Sequence, residues 1–133
     1  MRLYKLFSLT AAAMFAVVGL IFLFFPASVL IFFNSISNYF GLPQSPVQGT
    51  SFYLILASAY MYLVTLLAYL MYRYPEQAIY PLLLAHAKLA SSIISIYLFL
   101  MYQPYLIYFA NFVTDGFIGI AALYFMKMKK TGV

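Results

Sequence analysis

Two ionisable residues lie deep inside otherwise uncharged, apolar stretches of this sequence. Lys88 falls in the stretch from residue 79 to 102, and Asp115 falls in the stretch from 105 to 126. If both stretches cross a membrane as helices, each charge costs at least ~2.5 kcal/mol to insert, so such groups usually pair, line a wet cavity or carry function. Lys88 and Asp115 are therefore the first candidates for chemistry in this chain.

The positions of these two residues predict an ion pair. At 1.5 Å per residue, Lys88 lies ~14 Å past Ile79 and Asp115 lies ~16 Å before Met126, which gives nearly equal depth on antiparallel neighbours. In the alternative arrangement, the Lys88 side chain extends toward the cytoplasmic surface, while Asp115 bonds to hydroxyl groups or stays protonated.

Short polar side chains extend this pattern along the same two helices, because helical spacing places them on the faces of the two charged residues. We call the whole set the polar seam; its members are Lys88, Ser91, Ser92, Ser95, Asn111, Thr114 and Asp115. Gly119 and Ala122 continue the face of the second helix, where small residues permit close packing. The seam predicts hydrogen bonds between helices, and a hydrated pocket or proton path is the alternative.

The single histidine, His86, precedes Lys88 by two residues, which places it ~160° around the helix and toward a different neighbour. One histidine cannot form a multi-histidine metal site, and no motif supports haem ligation, so no metal or cofactor is predicted. Two interpretations of His86 stay open. It is either a hydrogen-bonded packing residue or a contact to a partner subunit, cofactor or quinone.

Composition excludes several classes of protein. Hydrophobic residues make up 67% of the 133 residues and charged residues only 7%, whereas an ordinary soluble domain is about a quarter charged. The net charge of +5 does not indicate nucleic-acid binding, because the basic residues flank apolar runs. Cysteine is absent, which excludes disulfides. Phosphate-binding glycine loops, paired carboxylates and a nucleophile elbow are also missing, so the sequence favours a non-enzymatic protein without deciding the question.

Four apolar stretches are long enough to cross a membrane, since ~20 helical residues span the ~30 Å hydrocarbon core. They cover about residues 6–25, 52–72, 79–102 and 105–126. Residues 27–40 repeat apolar positions at helical spacing, which predicts a short amphipathic helix at the membrane interface. Glycines and prolines between Gly41 and Gly49 then predict an irregular connection. The predicted fold is all-α: a four-helix integral membrane bundle with one added interfacial helix, in a single domain of residues 1–133.

Basic residues predict the orientation of this bundle. With four spans, both termini and the middle turn share one side of the membrane, which carries all six flanking basic residues, while the other side carries none. The six are Arg2, Lys5, Arg73, Lys127, Lys129 and Lys130. We therefore predict a multi-pass protein of the plasma or inner membrane with both termini in the cytoplasm. The two halves then have the same orientation, so the inverted repeat of many secondary transporters is missing.

Three further patterns concern packing. Small residues at helical spacing between Ser8 and Gly19 predict a close helix–helix contact on the first span. The second span carries a weakly polar stripe from Ser58 to Tyr72, which we expect to face partners. Tyr60, Tyr62 and Tyr97 lie deep within their spans and need hydroxyl partners, so we expect them to face the bundle interior.

These observations rank three hypotheses for function. The first is a non-enzymatic accessory or assembly subunit of a larger membrane complex, because the chain has little mass outside its spans and no catalytic set. The second is a small transporter or ion-conducting oligomer that uses Lys88 and Asp115 as gating or proton-binding groups. The third is a lipid- or quinone-binding protein whose apolar cleft ends at the polar seam. The expected partners are membrane lipids together with protein subunits or further copies of the chain.

Overall fold

The computed structural model describes residues 1–47 and 51–130, and every regular element within these ranges is an α-helix. The predicted all-α class is therefore confirmed. Four of the helices are long and apolar enough to cross a membrane, and the remaining helix, the second along the chain, is shorter. The helices are α1 (Arg2–Phe24), α2 (Pro26–Tyr39), α3 (Ser51–Arg73), α4 (Ile79–Met101) and α5 (Leu106–Lys130).

Two of the long helices extend several residues past the predicted spans. α1 begins at Arg2 rather than residue 6, and α5 continues to Lys130 rather than ending at residue 126. The predicted limits follow the uncharged runs, but arginine and lysine are good helix formers. Basic side chains at the end of α5 also interact favourably with the helix dipole, so the helix continues through them.

The first helix breaks at Phe25, and the next helix starts immediately. Phe25 has φ −131° and ψ 49°, which is not a helical conformation, and Pro26 follows as the first residue of α2. Proline lacks an N–H and clashes with a preceding helical turn, but its fixed φ suits the first position of a new helix. Pro26 therefore accounts for the break, and α2 covers nearly the segment predicted from residue 27 to 40.

α2 turns Ser37, rather than Phe32, toward the rest of the molecule. Ser37 is 2% exposed, whereas Phe32 and Phe40 are 60% and 67% exposed. The Ser37 hydroxyl donates a hydrogen bond of 2.8 Å to the carbonyl of Phe33, one turn earlier, so its burial leaves no unsatisfied donor. Phe32 and Tyr39 of α2, and Phe40 directly after it, lie on the outer surface.

The connection after α2 is held by side-chain hydrogen bonds. Asn34 Nδ2 donates to the carbonyl of Ser45 at 2.9 Å, and Asn34 Oδ1 accepts from the Ser45 backbone nitrogen at 2.7 Å. Gly41 has φ 65°, a conformation that favours glycine and reverses the chain after the helix. The predicted irregular connection is confirmed through residue 47, and Gly49 lies outside the described residues.

The long helices pack as two pairs. α1 lies against α3, α4 lies against α5, and contacts between α3 and α4 join the pairs. Small residues allow α1 and α3 to approach closely, since Ser8 and Ala12 are buried and a Cβ added at Gly19 would lie 3.0 Å from Met61 Cβ. The small-residue face predicted for the first span is confirmed.

The N-terminal end of α1, the α3–α4 turn and the C-terminal end of α5 meet at one end of the bundle. Phe7 stacks on Phe125 with ring centroids 4.7 Å apart. Lys129 Nζ donates to the carbonyl of Pro75 in the turn and lies 5.2 Å from the centre of the Tyr4 ring. The basic ends of two helices therefore lie beside the turn that follows Arg73.

The outer surface of the bundle is apolar along all four long helices. Leu20, Leu56, Ile93 and Phe117, one from each helix, are all more than half exposed. Soluble monomers rarely expose contiguous apolar patches larger than a few hundred Å², so a surface of this kind needs cover from lipid or protein.

α4 and α5 approach closely at Gly119, where a Cβ would lie 2.8 Å from Leu89 Cγ and 3.3 Å from the Leu89 backbone nitrogen. We predict that Gly119→Ala lowers the free energy of unfolding by about 1–3 kcal/mol, because the added methyl group overpacks this contact. Thermal unfolding in detergent, followed by circular dichroism, measures the effect. Ile120→Ala, at an exposed neighbouring position, is the control, and equal midpoints for the two variants would contradict the prediction.

Candidate functional site

The Lys88 and Asp115 side chains meet between α4 and α5. Lys88 Nζ lies 3.1 Å from Asp115 Oδ1, and the two side chains are only 3% and 7% exposed. The expected ion pair is therefore formed, and the alternative, in which Lys88 extends to the cytoplasmic surface, does not describe this structure. A hydrogen-bonded pair of opposite charges is the arrangement in which an ammonium and a carboxylate tolerate burial.

Two aromatic rings from the other pair of helices complete the surroundings of the ammonium. Lys88 Nζ lies 4.4 Å from the ring centre of Phe15 on α1 and 5.1 Å from that of Tyr60 on α3. Both distances allow a cation–π interaction, which is stronger where water is excluded. Lys88 on α4, together with Asp115 on α5, thus links all four long helices at one point.

Asn111 joins two serines of the polar seam. Its Nδ2 donates to Ser91 Oγ at 2.9 Å and to Ser95 Oγ at 2.6 Å, across the α4–α5 contact. Ser92, which lies on α4 with the other two serines, donates to the carbonyl of Phe112 on α5 at 2.7 Å. These hydrogen bonds and the ion pair form a continuous polar contact between the two helices.

Thr114 does not join this contact. Its side chain is exposed, whereas Asp115 is buried, because neighbouring helical residues point about 100° apart. The expectation that Thr114 shares the Asp115 face is wrong: it lies at the edge of that face and turns outward. The remaining six members of the polar seam lie between the helices.

Of the three tyrosines that lie deep within their spans, one faces the bundle interior and two face outward. Tyr60 is partly buried, and its hydroxyl donates to the carbonyl of Ala87 at 3.3 Å, as expected for an interior tyrosine. Tyr62 and Tyr97 are 72% and 52% exposed, so the expectation that they face the interior is wrong. Tyr60 and Tyr62 are separated by about 160° around α3, which prevents both from pointing inward.

His86 lies on the outer surface of α4. Its side chain is exposed, and within residues 1–47 and 51–130 it has no hydrogen-bond partner. The interpretation of His86 as a hydrogen-bonded packing residue of this chain is therefore wrong. A contact to a partner subunit or cofactor stays a prediction.

Lateral grooves open beside the helix pairs in the part of the chain that the structure describes. The first, of about 420 Å³, lies between α3 and α4 next to the polar seam, and it is lined by Tyr60, Ala87, Ala90, Ser91, Ile94 and Ser95. The second, of about 270 Å³, lies between α1 and α3. In the described part of the chain, the Ser58 hydroxyl on this second groove is buried without a hydrogen-bond partner.

The Lys88–Asp115 pair is closed to a ligand in this structure. Both side chains are almost fully buried and two rings lie against the ammonium, so a third group could exchange a proton with the pair only after these side chains move. The hydroxyl groups at the first groove are different, because a ligand entering between α3 and α4 would contact them directly.

Sequence reasoning did not identify Phe15. It is one of 14 phenylalanines in an apolar chain, and its type and spacing carry no signal that distinguishes it from the others. The depth of Tyr60 did provide a signal, although it did not indicate a contact with Lys88.

Comparison with known proteins gives no match to a family, to a curated protein or to a solved structure.

Removing one partner of the ion pair leaves the other charge buried, so we predict that Lys88→Met or Asp115→Leu each lowers the free energy of unfolding by about 3–5 kcal/mol. Combining the two changes removes both charges. The double variant should therefore lose at least about 1 kcal/mol less unfolding free energy than the two single losses added together. A double-mutant cycle of denaturant unfolding in detergent micelles measures this coupling.

Lys127→Met, which removes an exposed charge at the end of α5, serves as the control and should leave the unfolding midpoint nearly unchanged. Strictly additive effects of Lys88→Met and Asp115→Leu would show that the two groups do not stabilise one another.

Proposed function

We propose that the chain is a multi-pass membrane protein of the plasma or inner membrane, in which α1, α3, α4 and α5 cross the bilayer. Their length, composition and apolar outer surface support this assignment. The basic ends of α1 and α5 and the α3–α4 turn lie together, and the positive-inside rule assigns that end to the cytoplasm.

α2 supports the same orientation as a helix in the outer interface. Phe32, Tyr39 and Phe40 are exposed on or beside it, and the segment from residue 26 to 47 carries no charge. Exposed aromatic side chains on a short helix favour the boundary between head groups and acyl chains. Here α2 would lie along the membrane surface at the end opposite the basic residues.

Because the chain contains no cysteine, single cysteines report its orientation without background. We predict that Gln103→Cys, in the α4–α5 turn, reacts with a membrane-impermeant maleimide on intact cells, whereas Glu76→Cys, in the α3–α4 turn, reacts only after permeabilisation. Ile120→Cys, within α5, is the control for a lipid-facing position and should react poorly in both conditions. The reverse pattern for the two turn variants would refute cytoplasmic termini.

Within the membrane, we propose a non-enzymatic role as an accessory or assembly subunit of a larger complex. Two polar side chains carry this proposal. His86 and Tyr62 are exposed on the outer surface, and at 1.5 Å per residue they lie ~10 Å from Ile79 and ~16 Å from Arg73, well within the span. Lipid chains offer no hydrogen bonds at that depth, whereas a neighbouring protein helix does.

Transport through Lys88 and Asp115 has less support. The Lys88 side chain is 3% exposed and its ammonium lies against Phe15 and Tyr60, so conduction along the pair would require the four helices to separate. An accessory subunit has no need of such an opening, and a rigid interior suits its role.

An accessory subunit should co-purify with a stoichiometric partner when its native membranes are solubilised in mild detergent. We predict that His86→Leu combined with Tyr62→Phe reduces this co-purification several-fold while leaving the unfolding midpoint of the isolated chain unchanged, because both groups point outward. Ile93→Leu, at an apolar exposed position, is the control. Recovery of the wild-type chain alone, stable and monodisperse, would refute the accessory role.

A further inference from the structure

The groove between α3 and α4, which we call the seam cleft, has the size and lining of a ligand site. Its volume of about 420 Å³ falls within the range of roughly 300–1,000 Å³ that small-molecule pockets occupy. The lining is mainly apolar, with a few hydroxyl groups that converge from two helices. Such a lining is typical of sites that bind an apolar molecule and orient it through a few hydrogen bonds.

The polar groups of the seam cleft include good hydrogen-bond donors. Asn111 Nδ2 already donates to Ser91 Oγ and Ser95 Oγ, so each serine oxygen has accepted one hydrogen bond. A hydroxyl that accepts in this way keeps its own proton for donation. Tyr60 lines the other wall of the cleft, but its hydroxyl already donates to the carbonyl of Ala87, so the protons left for a ligand belong to Ser91 and Ser95. The complementary ligand atom is an acceptor such as a carbonyl oxygen.

The walls and charges of the seam cleft restrict the ligand further. Ala87 and Ala90 have small side chains and leave room for a flat ring against α4. The charge of Lys88 is already matched by Asp115, so an ionised ligand would find no free counter-charge there. A neutral, planar molecule with a carbonyl group fits both conditions.

The depth of the seam cleft in the membrane distinguishes between phospholipids and quinones as carbonyl-containing ligands. Ser91 lies ~18 Å along α4 from Ile79 and ~15 Å from Met101, which places the cleft near the middle of a ~30 Å hydrocarbon core. The ester carbonyls of phospholipids stay near the interfaces. A quinone ring is neutral, and its long apolar tail keeps it dissolved in the bilayer interior.

We propose that the seam cleft binds a lipid-soluble quinone, with one carbonyl oxygen accepting hydrogen bonds from Ser91 and Ser95 and the ring lying against Ala87 and Ala90. The inference rests on the membrane insertion proposed above and is independent of the accessory role. It concerns binding, and it assigns no electron or proton transfer to the site.

The test titrates decylubiquinone into the purified full chain in nanodiscs of synthetic phospholipid, with bound quinone measured after the discs are separated from free ligand. The expected result is saturable binding with one quinone per chain. The double variant Ser91→Ala/Ser95→Ala should bind at least about tenfold more weakly, because it loses two hydrogen-bond donors. Circular dichroism establishes that the variant is folded.

Two further variants control for position. Ala90→Leu fills the seam cleft while keeping its hydroxyl groups, and it should abolish saturable binding. Ser58→Ala removes a hydroxyl from the groove between α1 and α3, and it should leave binding unchanged. Loss of binding in Ser58→Ala, or unchanged binding in Ala90→Leu, would overturn the assignment to the seam cleft.

The remaining outcomes separate this inference from the proposed topology. Methyl palmitate supplies an acyl ester carbonyl, and equal competition by it would assign the cleft to lipid carbonyls in general and overturn the quinone proposal. Maleimide labelling of Gln103→Cys and Glu76→Cys in the same discs reports whether the chain is inserted across the bilayer. Correct insertion without quinone binding refutes the quinone inference alone, whereas failed insertion refutes the membrane proposal.

Discussion

Burial of the Lys88 ammonium is the constraint on which the rest of the bundle depends. A buried charge is tolerated only when opposite charge and polarisable groups surround it, and here they come from three other helices. Asp115 supplies the carboxylate, and the rings of Phe15 and Tyr60 supply their faces. Rotation of any of the four helices would remove one of these contacts. The ion pair therefore fixes the relative rotation of these helices. Without it, their apolar surfaces could rotate against one another at little cost in free energy.

The packing around the pair follows from this requirement. One turn from the pair, the short Ser92 side chain reaches the carbonyl of Phe112 at 2.7 Å, which needs closely spaced backbones, and Gly116 and Gly119 provide the space. A Cβ at Gly116 would lie 2.9 Å from Ser92 Oγ, the hydroxyl that donates to the carbonyl of Phe112. The small residues and the hydrogen bonds of the polar seam thus depend on each other.

The parts of the structure that could be predicted from the sequence are those in which a residue type is rare. Lys88 and Asp115 stand out because no other charge lies in the apolar runs, and residue counting gives their matched depth. Helix rotation is harder to predict, because an error of about 100° turns a buried residue outward. The predicted orientations of Thr114 and Tyr62 are wrong for this reason. Phe15 shows a different difficulty, since in a chain with 14 phenylalanines only the three-dimensional structure identifies the one beside the ammonium.

α4 carries polar side chains both on its buried face and on its outer surface. Its buried face holds Lys88 and Ser92, while His86 projects from the opposite side. A partner that bonds to His86 would therefore contact a helix whose rotation is already fixed by the ion pair behind it. Such a helix transmits little movement from one face to the other, because turning it would break the contacts of the ammonium. The arrangement favours a scaffold that presents a constant surface over a switch that changes shape on binding.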